Sequence, residues 1–183
     1  MDPQAANRIL TEALAAGPRC GSIILIGIDG RSGAGKTTLA TQIAELTDGA
    51  GMRTAVVHND VLCPGWDGLP EVPRRLNTLA KELAAQGHAT YPTWDWIAGT
   101  DGPPAAIPPT DVVIIEGVAA IDPEWAAERS ISVWVEAPAA LRKERAIARD
   151  GDNFAAHWDA WAIAEDAYYD ATPPEPDLVV EVG

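Results

Sequence analysis

Two kinds of hydrophobic pattern alternate along the chain. Continuous apolar, mostly β-branched runs occur at residues 22–29, 53–58, 111–116, 131–135 and 178–182. Runs without polar alternation suit strands covered on both faces, as in a parallel sheet. Between them apolar residues recur at helical spacing: Ile9, Leu10, Ala13 and Leu14 within residues 3–16, Leu39, Ile43 and Leu46 within 38–46, and Leu76, Leu79, Leu83 and Ala84 within 73–86. Further helices are expected at 123–128, at 138–149 and, capped by Asn153, at 153–169. Gly17-Pro18, Asp48-Gly49-Ala50-Gly51, Gly87 and Asp150-Gly151-Asp152 are the breaks.

Strands alternating with helices predict an α/β fold, a doubly wound parallel sheet with helices on both faces and right-handed crossovers. Ligands then gather at the carboxyl ends of the strands. At 183 residues the chain is read as one domain, with an N-terminal helix (1–17) packed on the sheet edge and a core at 22–182. Residues 61–72 read as a loop, because they hold Pro64, Gly65, Gly68 and Pro70. Residues 98–110, with Pro103, Pro104, Pro108 and Pro109, read as a surface loop.

The first strand leads into Gly30-Arg31-Ser32-Gly33-Ala34-Gly35-Lys36-Thr37, which meets G-x-x-x-x-G-K-[ST] at every fixed position. This Walker A pattern, or P-loop, lies between a strand and a helix, as its mechanism requires. Its glycines permit the angles that turn successive N–H groups around a phosphate, and the helix N-terminus adds partial positive charge. Gly30, Ser32, Gly33, Ala34, Gly35, Lys36, Thr37 and Thr38 are the expected phosphate cradle. Lys36 reaches the β- and γ-phosphates, and Thr37 ligates Mg²⁺.

The same rule brings two carboxylates beside the phosphates, Asp60 after the second strand and Glu116 at the end of the third apolar run. Asp60 is the expected base that orients and deprotonates an acceptor hydroxyl, and Glu116 the group that helps hold the Mg²⁺ water shell. Arg142, Arg145 and Arg149 fall on one helix face, with Arg145 and Arg149 the preferred pair for the γ-phosphate. The break at residue 150 is expected to act as a small lid, and the proline-rich segment to move with it. Trp66, Tyr91, Trp94, Asp95 and Trp96 are expected around the acceptor, whereas Trp125, Trp134, Trp158 and Trp161 are expected in core or helix contacts. His58, His88 and His157 are given no role.

A net charge of −14 argues against nucleic acid as a partner and makes the placement of the few cations informative. There are only three lysines, of which Lys36 is one. Cys20 and Cys63 lack metal-ligand spacing, no leader pattern opens the sequence, and no apolar run approaches ~18 residues. These features predict a cytoplasmic protein that meets no membrane.

Residues 30–37, Asp60, the Tyr91-Pro92-Thr93-Trp94-Asp95-Trp96 segment, Glu116-Gly117 and the Arg142/Arg145/Arg149-Asp150 helix together resemble, in this order, the uridine kinase-like branch of P-loop small-molecule kinases. The resemblance implies a five-stranded parallel core, ATP and Mg²⁺ as cofactors, Asp60 as catalytic base and Arg145 or Arg149 as a lid arginine. Where the family commonly has an aromatic pair after the aspartate, this chain has Val61-Leu62-Cys63. The expected function is transfer of the ATP γ-phosphate to a small-molecule hydroxyl, on a nucleoside or nucleoside-like compound. The alternatives are another metabolite or antibiotic alcohol as acceptor, and a nucleotide-dependent ATPase or switch acting through a protein partner.

Overall fold

The computed structural model describes residues 4–183, apart from the side chains of residues 152 and 153. The predicted start of the first helix at Pro3 and the capping role of Asn153 therefore lie outside the described residues. The strands are β1 (Ile24–Asp29), β2 (Thr54–His58), β3 (Ala89–Asp95), β4 (Thr100–Ile107), β5 (Val112–Glu116), β6 (Ile131–Glu136) and β7 (Leu178–Glu181). The α-helices are α1 (Ala5–Ala16), α2 (Lys36–Gly49), α3 (Val72–Gln86) and α4 (Ala139–Ala171), with short 3-10 turns at Asn59–Leu62, Leu69–Glu71 and Pro123–Glu128.

Five strands form one parallel sheet in the order β2-β5-β1-β6-β7, matching the five apolar runs of the sequence. β1 and β5, in the middle, are buried at every position. Period-two geometry sends their side chains to opposite faces. Ile24, Ile26 and Ile28 meet Ile9 and Ala13 of α1 and Leu39 and Ile43 of α2. Leu25 meets Leu76, Leu79 and Leu83 of α3, together with Trp125, Trp134 and Tyr169. The two helical layers thus close two separate cores over one sheet.

Two expectations are corrected. First, α1 packs beside α2 over β1 and β6, not on the sheet edge, because its stripe of Ile9 and Ala13 needs an apolar face to cover. Second, residues 100–107 form β4, paired antiparallel with β3, where a surface loop was expected. The prolines are tolerated because Pro103 and Pro104 fall between the paired positions Gly102 and Ala105, opposite the register shift at Tyr91/Thr93, where the ladder is already interrupted. The Thr93 hydroxyl ties this point by donating to the Pro103 carbonyl at 2.8 Å. The break expected at residues 150–152 is present: α4 is helical on both sides of a kink at Gly151, whose φ of 67° and ψ of −154° leave the helical region.

Candidate active site

β1 ends in Asp29 and the chain turns into the P-loop. Gly33 sits at φ 79°, and a Cβ there would run into the Arg142 carbonyl, so only glycine lets the first turns of α4 pack on the loop. Gly35, also left-handed, starts α2 at Lys36. Lys36 is 8% exposed and spans the loop, its Nζ donating to the Gly30 carbonyl at 2.6 Å and the Arg31 carbonyl at 3.1 Å.

The parallel register sets the next cluster. Glu116 is the partner of Ile28 on one side and of His58 on the other. Glu116 Oε1 accepts from the Thr37 hydroxyl at 2.9 Å and meets His58 Nδ1 at 2.6 Å. Burial alone would raise the Glu116 carboxyl, but the His58 hydrogen bond, Lys36 and the Thr37 hydroxyl together hold it below its ordinary value. The same hydrogen bond raises His58. One turn later Asp60 faces the cleft. Water reaches it, yet the packing around it, and then the charge of Glu116, raise its carboxyl above the ordinary range.

The residues gathered here line one cleft of about 800 Å³: Ser32, Gly33, Gly35, Lys36, Thr37, Thr38, Asp60, Trp66, Trp96, Glu116, Arg145 and Arg149, all expected from the sequence. Arg149 holds Asp150 through a two-pronged hydrogen bond, at 2.8 and 2.7 Å. Arg142 leaves the expected stripe and donates to the carbonyls of Ala137 and Ser32, bracing the P-loop from α4.

Some expected residues stand elsewhere. Gly30 and Ala34 shape the loop without lining the cleft, Ala34 being fully buried. Tyr91, Trp94 and Asp95 lie outside the cleft wall, because β3 turns them away from it. Tyr91 packs against the α3-side core, Trp94 covers Gly65, and Asp95 Oδ1 accepts from the amides of Ile97 and Ala98 to close the hairpin turn. Their sequence neighbour Trp96 does reach the site, its indole N–H donating to the Asp60 carbonyl at 3.1 Å.

Sequence reasoning missed a supporting shell on the outer side of the P-loop. Asp29 is 1% exposed and accepts four hydrogen bonds, from Gly30 N, Ala119 N and the Tyr169 hydroxyl on Oδ1 and from Ile121 N on Oδ2. Burial pushes its carboxyl up to about 6 against those donors and Lys36. Glu165, also 1% exposed, accepts from Ser32 N at 2.9 Å. Trp161, expected in a core or helix contact, packs against the core and also lines the cleft, donating its indole N–H to both Ser32 Oγ and Glu165 Oε1. An acidic residue ending an otherwise apolar strand marked Asp29; Glu165, one acid among several on α4, carried no signal. His58 and His157 also contribute, the latter stacked on Trp66 with ring centres 4.2 Å apart.

Thr37 and Glu116 offer hard oxygen donors beside the phosphate cradle, which suits Mg²⁺, an ion held by one or two protein oxygens with phosphate and water supplying the rest. Among the described residues no helix is long and apolar enough to cross a membrane.

No protein-family profile and no curated protein matches the chain. Solved structures do. A possible uridine kinase from Bacillus stearothermophilus is 22% identical, with TM-score 0.66, over 98% of this chain and 99% of its own. A candidate fructose transport system kinase from Silicibacter sp. TM1040 is 22% identical, with TM-score 0.68, over 96% and 98%. D-glycerate 3-kinase from Cryptococcus neoformans var. grubii is 11% identical, with TM-score 0.58, over 97% and 94%. Near-complete coverage in both directions shows that the chain shares the fold of these structures, with a Walker A loop between β1 and α2.

Proposed function

We propose that the chain is an ATP-dependent kinase that transfers the γ-phosphate to a hydroxyl of a small molecule. The observation that carries this reading is the convergence of Lys36, Thr37, Asp60, Glu116, Arg145 and Arg149 on one cleft. P-loop amides and Lys36 bind the phosphates. Thr37 and Glu116 would help hold Mg²⁺, which would supply positive charge against the phosphate oxygens. Asp60, its carboxyl raised above the ordinary aspartate value, orients the acceptor hydroxyl and takes its proton as the oxygen bonds to the γ-phosphorus and ADP leaves. Arg145 and Arg149 meet the charge on the transferring group, which requires Arg149 to exchange Asp150 for phosphate oxygens. The finer form of the proposal is the acceptor expected from the sequence, a nucleoside or nucleoside-like compound.

The test is ADP release from Mg·ATP against a panel of alcohols, with an acceptor-free control and a Lys36→Ala control. Stimulation by one acceptor, lost in Lys36→Ala, is the expected result. Hydrolysis at one rate whatever is added favours an ATPase or switch and refutes the kinase.

A further inference from the structure

The cleft has two halves of opposite chemistry. One holds the charged groups named above. The other, beyond Asp60, is walled by Cys63, Trp66, Leu69, Val72, Trp96 and Phe154, and none of these six carries a charge. Trp66 stacks on Phe154 with ring centres 5.6 Å apart and meets Trp96 edge-on at 4.8 Å. The polar atoms of Trp96 and Cys63 are already engaged. The Trp96 indole N–H donates to the Asp60 carbonyl, and the Cys63 thiol, which burial keeps neutral by pushing it up to about 12, donates to the Gly65 carbonyl at 3.3 Å.

Such a wall rewards a flat, apolar body. Ring faces and aliphatic carbon gain from buried aromatic surface. Extra hydroxyls or a carboxylate would lose their water there and find a single free donor, the Trp66 indole N–H. Asp60 is the polar anchor where the two halves meet, one acceptor for one hydroxyl.

Resting on the kinase reading, we propose that the acceptor is a neutral alcohol carried on a flat, largely apolar ring, held by its faces against this wall and by its hydroxyl at Asp60. The ring edge meets no donor of the wall but the Trp66 indole N–H, and free sugars, polyols and hydroxy acids, which carry no such ring, are excluded. This narrows the nucleoside-like acceptor to one with an apolar ring edge, because a single donor does not match the several polar groups on the edge of a natural base.

The decisive comparison is a phenyl C-riboside against uridine, which share the ribose and differ in the ring. D-fructose and D-glycerate serve as the polyol and hydroxy acid. Binding is read by titration calorimetry in the presence of Mg·ADP, with no turnover required. The phenyl compound is expected to bind at least about 10-fold tighter than uridine, the scale on which an apolar pocket separates ligands. Fructose and glycerate are expected to bind more weakly still. Trp66→Ala should weaken the phenyl compound about 10-fold while Mg·ADP affinity stays within about 2-fold, and Trp66→Phe, which keeps a ring, should restore most of the loss. Equal or tighter binding of uridine, fructose or glycerate overturns the proposal, as does a Trp66→Ala variant that binds the phenyl compound unchanged. If the expected binding order is found but no bound alcohol is phosphorylated from Mg·ATP, the kinase reading fails while the ring-binding wall stands.

Discussion

Gly117 directly follows Glu116, and its replacement by alanine tests how the end of β5 holds the site. Its φ of 146° lies outside the range of other residues, and a Cβ there would overlap Asn59 Oδ1 outright. Asn59 is 2% exposed and donates from Nδ2 to the Val118 carbonyl at 2.8 Å. Backbone strain costs about 1–3 kcal/mol. Displacing Asn59 leaves buried polar groups without partners, a further ~1–3 kcal/mol. The sum, about 2–6 kcal/mol at roughly 2–4 °C per kcal/mol in a chain of this size, lowers Tm by about 4–24 °C. Gly51→Ala is the control, because Gly51 shares a positive φ of 75° but has open space where the Cβ would go, so it carries only the strain. Urea unfolding followed by circular dichroism reads both variants. If Gly117→Ala unfolds within about 1 kcal/mol of Gly51→Ala at an unchanged m-value, the close approach of Asn59 is not what requires glycine, and the reasoning fails.

Asp60→Asn should lower kcat by about 10²–10⁴ while nucleotide affinity stays unchanged, a contrast read by calorimetry beside steady-state assay; unchanged turnover removes the base role. Because the Asp60 carboxyl is raised, the acid limb of kcat/KM should lie above the ordinary aspartate value of 3.8, and a limb at or below that value contradicts its environment. Stability should carry two opposite pH dependences. Asp29, raised to about 6, favours the folded state most below 3.8 and loses that contribution as pH rises through about 6, by ~3 kcal/mol from the shift. Asp111, lowered to about 2 chiefly by its hydrogen bond with Arg53, contributes above 3.8 and loses its contribution as pH falls through about 2. Unfolding free energies of wild type and Asp29→Asn across pH 4–7, about the span of the Asp29 shift, should differ in slope, and parallel curves refute the Asp29 assignment.

The linear order of residues determined the five strands, the P-loop and the two carboxylates at strand ends. These rest on local pattern: unbroken apolar runs favour strands of a covered parallel sheet, though the edge strand β7 leaves Val179 exposed, and glycine spacing sets which angles the loop can take. The parallel arrangement then sends Asp60 and Glu116 to one end of the sheet. Partners from distant parts of the chain were decided by tertiary structure alone. His58 joined the site because register makes it the neighbour of Glu116, and Glu165 and Trp161 because the kinked α4 returns to the P-loop, bringing an acid to an amide 133 positions away. The hairpin shows the same limit. Tyr91, Trp94, Asp95 and Trp96 looked alike as a cluster, yet only Trp96 reached the cleft, because the β3–β4 ribbon and its turn engage the others. Spacing tells which residues share an element, while the direction each element faces is set by what it packs against.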